Sequence, residues 1–305
     1  MPGMWHIMEA TQDSYRLSDR LIRAVSKWGF DQGDEDITQL IEAGAEVNRL
    51  HGTLLPLHCA CMVADSDVTE LLINKGARVN DTDGYGRCAI HYAAEKDVDC
   101  IKVLLRHGAN INQGDLNNDT ALHWACYKCE PKCVRLLLKF GANINAADYN
   151  NDTPISWAAR KGNVEVIGIL LDFNANLDIK NFFGFTPLQR AASVQASGLN
   201  TEDDDDTLEL LIKASGQFNL LDESGEVLRV VQRDSRLEEI MQPLCRHPRP
   251  LLQLCLHRIR KSLGPCYLPY IVPSLPVPRK VKEYLLLRHE SPRYLRPSSN
   301  ETDSD

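Results

Sequence analysis

LLPLHCACM at 54–62, RCAIHYAAE at 87–95, DTALHWACY at 119–127 and DTPISWAAR at 152–160 are four versions of one phrase. They align on His58, His91, His123 and Ser156, at spacings of 33, 32 and 33 residues. FTPLQRAAS at 185–193 is a fifth version, with Gln189 another 33 residues on. A second phrase recurs in step: GAEVN from Gly44, GARVN from Gly76, GANIN from Gly108, GANIN from Gly141 and NANLD from Asn174. A fixed period of this length means stacked supersecondary units, none of which buries its apolar face alone.

Each unit reads as a helix pair. Thr153-Pro154 and Thr186-Pro187 place a capping hydroxyl before a proline at the first helical position. Ala93, Ala94, Ala158 and Ala159 let the first helix pack closely on its neighbour. The second helix carries an apolar ridge, as in Leu71-Leu72-Ile73 and Leu136-Leu137-Leu138, and Gly76, Gly108 or Gly141 then ends it in a left-handed cap. This period and T-P-L-H core resemble the ankyrin repeat over residues 19–219. The resemblance implies an all-α solenoid of about six helix pairs, the first and last atypical. The expected units are a degenerate capping repeat at 19–50 behind an N-terminal segment 1–18, then 51–83, 84–115, 116–148, 149–181 and 182–219. In the last, 27 residues separate Gln189 from Gly216, where the first, third and fourth copies use 18. The surplus includes the acidic run Glu202–Asp206, expected as a solvated loop between the two helices. Asn48, Asn80, Asn112 and Asn145 are expected to hydrogen-bond within their loops.

The net charge of −8 hides a split. Residues 245–300 hold eleven Lys and Arg against Glu283 and Glu290, and the rest of the chain holds 23 basic against 40 acidic residues. Most of the chain would therefore repel nucleic acid. No apolar run reaches the roughly 18 residues a membrane-spanning helix needs. MPGMWHIMEATQD carries no secretory pattern, and Pro2 is incompatible with N-myristoylation. Ten cysteines in such a chain are expected as reduced thiols, which places it in the cytosol or nucleus.

The period stops after residue 220. A helix-compatible linker, 220–244, precedes a second pattern at 245–287, and 288–305 is expected as a disordered tail. Leu251, Cys255 and Ile259 lie four apart on one helical stripe behind Pro250, with Leu254 beside them. Downstream, Leu275-Pro276-Val277-Pro278 is a rigid extended segment before another amphipathic stripe. Both halves, in order, resemble a SOCS box, so the chain is identified as a member of the ankyrin repeat and SOCS box family. The resemblance implies elongin C, with elongin B, on Leu251, Leu254, Cys255 and Ile259. It implies cullin-5 and its RING subunit on Leu275, Pro276, Val277 and Pro278. An exposed apolar stripe suits a helix laid in a partner's groove; the bland alternative is the core of a small helical subdomain.

Sharper chemistry finds little support. His123, Cys126, Cys129 and Cys133 have a zinc-like spacing, yet the repeat explains three of the four as a structural histidine and buried small residues. No nucleophile elbow, phosphate loop or metalloprotease motif occurs. The expected protein is a non-catalytic adaptor with no cofactor or metal, which holds an unknown protein substrate on its ankyrin array for ubiquitination and proteasomal degradation. Tyr85, Tyr149, Phe182, Phe183 and Phe185 on the loop tips are the candidate substrate contacts, unless the phenylalanines form a local core. The rival readings are a non-ligase ankyrin scaffold and a nucleic-acid binder using the basic 245–296 region, where bases interleave with the box itself. Neither a nucleic acid nor a membrane is the expected partner.

Overall fold

The computed structural model describes residues 3–26, 36–195, 202–215 and 251–287. Among them there are helices and no strands, with isolated bridges only at His51–Leu54 and Gly114–Thr120. No described helix is long and apolar enough to cross a membrane. The linker 220–244 and the tail 288–305 lie outside the described residues. The chain divides into two units, 1–149 and 150–305.

The first unit holds four helix pairs: α1 (Gly3–Ser26) with α2 (Ile37–Glu42), α3 (Pro56–Met62) with α4 (Ser66–Asn74), α5 (Ala89–Ala94) with α6 (Val98–Arg106), and α7 (Ala121–Tyr127) with α8 (Pro131–Lys139). First helices stack α1 on α3 on α5 on α7, and second helices stack α4 on α6 on α8. The core includes the apolar ridge foreseen on the second helices, with Leu72, Leu104 and Leu137 wholly buried, and Leu122 of the first helix α7 joins them. Helix α1 runs unbroken from Gly3 to Ser26, so the expected boundary at residue 18 falls inside a helix. Asp65 and Asp97 cap α4 and α6, each carboxylate accepting a backbone N–H of the first turn. Gly76, Gly108 and Gly141 follow the second helices at φ of +95°, +81° and +87°, a conformation that disfavours a side chain.

The phrase histidines are structural. The Nδ1 of His58, His91 and His123 accepts the N–H of Leu55, Cys88 and Thr120 at 3.3, 3.0 and 3.1 Å. That is the reach-back half of a capping box. The Nε2 of His58 then meets the Asp81 carbonyl at 3.1 Å, and that of His91 meets Gln113 and Asp119 carbonyls at 3.0 and 3.1 Å. These partners fix the Nε2–H tautomer, and burial holds both rings below the ordinary histidine pKa. Asn48 and Asn80 correct the expectation, because they bridge repeats instead of bonding within a loop. Asn48 donates to the Gly76 carbonyl at 2.9 Å and accepts from the Arg78 N–H at 2.9 Å. Asn80 repeats this on Gly108 and Asn110, at 3.1 and 2.8 Å. Two bonds per side chain thus set the stacking register.

The second unit holds α9 (Pro154–Lys161), α10 (Val164–Asp172), α11 (Pro187–Gln195) and α12 (Glu202–Ala214), then α13 (Leu251–Leu263), α14 (Leu268–Ile271), a 3₁₀ turn at Val272–Ser274 and α15 (Arg279–Leu285). Helix α11 packs on α9, and α12 packs on α10. Gln189 replaces the histidine with a reciprocal box: Oε1 accepts the Thr186 N–H at 2.7 Å, and its own N–H reaches Thr186 Oγ1 at 3.3 Å. Residues 202–206 form the first turns of α12, which overturns the loop expected for them. Acidic residues suit that end of a helix, where unpaired N–H groups leave partial positive charge. The helices at 251–285 enclose a small core of Leu256, Leu268, Val272 and Leu285.

Candidate functional site

Helix α13 has two faces. Leu256 and Arg260 are buried, with Ile259 and Leu263 partly buried against the small core. Cys255, Arg258 and Ser262 are exposed on the other face, and Leu254 is half-buried. Of the expected elongin-binding residues, Cys255 therefore faces outward, Leu254 is partly accessible, and Ile259 is shared between surface and core. The backbone of Leu251 opens the helix. Leu275 through Val277 form a bend between the 3₁₀ turn and α15. Pro276 and Pro278 are exposed, Val277 is half-buried, and Leu275 packs against the core. The cullin-box residues thus split into two prolines presented to the surroundings and a leucine that anchors them.

The sequence reading missed Arg260. Its side chain is 7% exposed, and its guanidinium donates to the carbonyls of Leu171 at 2.7 Å and Leu285 at 3.2 Å, with Asn174 Oδ1 at 3.5 Å. Burial lowers its pKa to about 10, which leaves it charged at neutral pH. Asn174, at φ +62°, returns the contact by donating to the carbonyls of Arg260, at 2.8 Å, and Gly264. Asp178 adds an ion pair to Lys261 at 2.7 Å and lies 3.4 Å from His257 Nε2. Nothing local in the sequence marks Arg260, whose protein partners lie in other elements.

The loop tips of each unit carry the remaining candidate residues. An Asx turn recurs at three of the tips. Asp83 Oδ1 accepts the N–H of Tyr85 and Arg87, Asp115 Oδ1 those of Asn117 and Asp119, and Asn181 Oδ1 those of Phe183 and Phe185. Successive tips in the first unit are hydrogen-bonded, Leu116 N–H to Tyr85 O at 3.1 Å and Tyr149 N–H to Asn117 O at 2.8 Å. This backbone leaves Tyr85, Tyr149, Phe182 and Phe183 60%, 75%, 75% and 70% exposed. Phe185 is half-buried, so a local core claims that one residue only. Leu116, 74% exposed, belongs with them and was missed. It shares the register of Tyr149 and Phe182, one residue past the turn-forming Asp or Asn, and a search for aromatics alone passes over it. Arg87 lies over the rings of Tyr85 and Tyr92 at 5.0 and 4.5 Å while pairing with the buried Asp83 at 3.1 Å.

Cys126 and Cys133 are wholly buried, and burial pushes the Cys133 thiol up to about 12. Among the described residues no three His, Cys, Asp or Glu side chains gather as metal ligands.

Comparison with known proteins finds both sequence patterns. Residues 21–115, 57–148 and 122–222 match ankyrin repeats, and 247–286 match the SOCS box. Proteins named ankyrin repeat and SOCS box protein 8 from Homo sapiens and Macaca fascicularis are 56% identical over 285 residues, covering 93% of this chain and 98% of their own length. The Mus musculus protein of that name is 55% identical over the same span. With both domains matched in order and identity sustained along nearly all of the sequence, this chain belongs to the ankyrin repeat and SOCS box family.

Proposed function

We propose that the chain is the substrate-recognition subunit of an elongin B/C–cullin-5–RING ubiquitin ligase. Its family makes it a SOCS-box ubiquitin-ligase adaptor; the particular partners and the degradation of its target are the finer reading. The observation that carries this reading is the two-faced α13, with Leu256 and Arg260 buried and Cys255 left outward. Cys255 and the partly accessible Leu254 leave apolar surface in water, and a groove on elongin C would cover it. Pro276 and Pro278 stiffen the neighbouring segment and lower the entropy cost of ordering it against cullin-5. The adaptor needs no catalytic residue, because holding a target lysine near the charged ubiquitin carrier raises its effective concentration. Work in the cytoplasm, and in the nucleus as well, belongs to the same proposal.

Leu251→Ser with Cys255→Phe should abolish capture of elongin B/C by the purified chain and leave the unfolding of the repeats unchanged. Retained capture would sink the assignment of α13 as the docking helix. Ile259 and Leu275, packed against the small core, favour a second reading in which the box only caps the stack of a scaffold protein. That reading requires the wild-type chain to purify without elongins. The target is proposed to sit on the tip row, with Tyr149 and Leu116 as anchors. Tyr149→Ala should weaken target capture, and an unchanged yield of ubiquitinated target would move the contact to the helix faces.

A further inference from the structure

Two helix C-termini in the second unit satisfy each other. The last four carbonyls of any helix lack partners within it. At the end of α10, the Leu171 carbonyl is taken by Arg260 from the last turn of α13. At the end of α13, the carbonyls of Arg260 and Gly264 are taken by Asn174, just past the end of α10. The same guanidinium reaches the Leu285 carbonyl at the end of α15, so one side chain holds three helices. A cation there also meets the partial negative charge of two helix ends.

Burying a charge is costly, and an apolar residue in such a place is often no less stable. What a planar fork of donors adds is direction, because two carbonyls on different elements must both be in place. Packing alone is a poor substitute here. A partly open pocket of about 100 Å³ lies beside the guanidinium, lined by Leu171, Asp172, Leu210, Leu268 and Leu285 as well as Arg260 itself. Interfaces between domains of one chain move relative to each other by default unless they are large and apolar. We propose that Arg260, with Asn174, is a positioning residue that fixes the box on the α9–α12 repeat pair and so sets the direction from which recruited ubiquitin machinery meets the array.

This rests on the ligase reading, and the test separates the two. Distance-reporting labels on encoded keto amino acids at the exposed Glu165 of α10 and Lys280 of α15 read the geometry in the elongin B/C complex. The wild type should give one narrow distance distribution. Arg260→Met and Asn174→Ala should broaden it while elongin capture stays within about twofold, because Cys255 and Arg260 occupy opposite faces of α13. Arg260→Lys keeps the charge but reaches one carbonyl at a time, so its broadening should be intermediate. In the assembled ligase, ubiquitin on the chain's own lysines should spread from a few positions to many, with total transfer retained. An unchanged distance distribution in the Met and Ala variants overturns the proposal. So does loss of elongin capture in both, since Arg260 would then be a structural part of the box. If the wild type captures no elongin, the ligase reading fails, and the label distances in the free chain still decide whether Arg260 is the pin.

Discussion

Helices α7 and α13 draw on the same residue types and bury different shares of them. In α7, ALHWACY, Ala121, Leu122, His123, Ala125 and Cys126 are all buried, because α5 and α8 pack against it. In α13, LLQLCLHRIRKSL, the small core covers Leu256 and leaves Cys255 exposed and Leu254 half-covered. The difference lies in neighbours. A repeat in the array has another repeat to close its apolar stripe, whereas α13 meets two short helices, of four and seven residues, and the end of α10, and these leave Cys255 uncovered. Cysteine in the first setting is a small buried hydrophobe; cysteine in the second is left exposed.

The sharpest way to break this contrast is a pair of truncations. Leu122→Ala should cost about 2–5 kcal/mol, since the packed surroundings cannot collapse around the cavity. Cys255→Ala should change stability by less than about 0.5 kcal/mol, as surface replacements do, while weakening elongin capture. Denaturant unfolding of both variants decides it: comparable losses would mean that α13 is covered within the chain after all.

A smaller effect concerns Asp119, at the start of the α7 phrase. It is buried, and among the described residues its Oδ1 meets no hydrogen-bond partner. Burial first, and then the carboxylates of Asp115 and Asp148, raise its pKa from 3.8 to about 7. The folded state therefore holds a proton that the unfolded state releases. Asp119 supports folding at acid pH, and that support is lost as pH rises from 3.8 through about 7. His58 and His91 act the other way. Their lowered pKa values give stability that is full above 6.5 and lost as pH falls below it. Asp119→Asn should then be neutral near pH 4 and stabilising by about 1–3 kcal/mol above pH 7, where the unsatisfied carboxylate is charged. Unfolding midpoints at pH 5 and pH 8 test this, and a gain independent of pH would contradict it.

What could be read in the sequence followed from how local its physics is. The histidine caps at His58, His91 and His123 and the glycine stops at Gly76, Gly108 and Gly141 involve partners three or four residues away and recur in register, so periodicity exposes them. Arg260 resembles any basic residue on an amphipathic helix, because its partners Leu171 and Leu285 come from other helices. The bridging asparagines lay between these cases. Their recurrence was visible, but the choice between a partner in the same loop and one in the next repeat is made by stacking. At the box, the pattern marked a helix without saying which of its residues the small core would claim, and Ile259 and Leu275 are claimed in part.

The smallest effect tests the one segment whose expected conformation was reversed. A solvated loop at 202–206 would lose nothing when its charges are removed. Residues at the start of α12 face a different balance, because acidic groups in the first turn gain about 0.3–1 kcal/mol each from the helix dipole. Glu202 and Asp206 are also like charges four apart, which repel by a few tenths of a kcal/mol. Replacing Asp203 to Asp206 with asparagine should therefore lower stability slightly, by about 1 kcal/mol or less at low salt, and by nothing measurable once about 1 M salt screens the dipole. A salt-independent loss would point to specific capping, where asparagine serves nearly as well as aspartate. No loss at any salt would return the segment to the solvated loop.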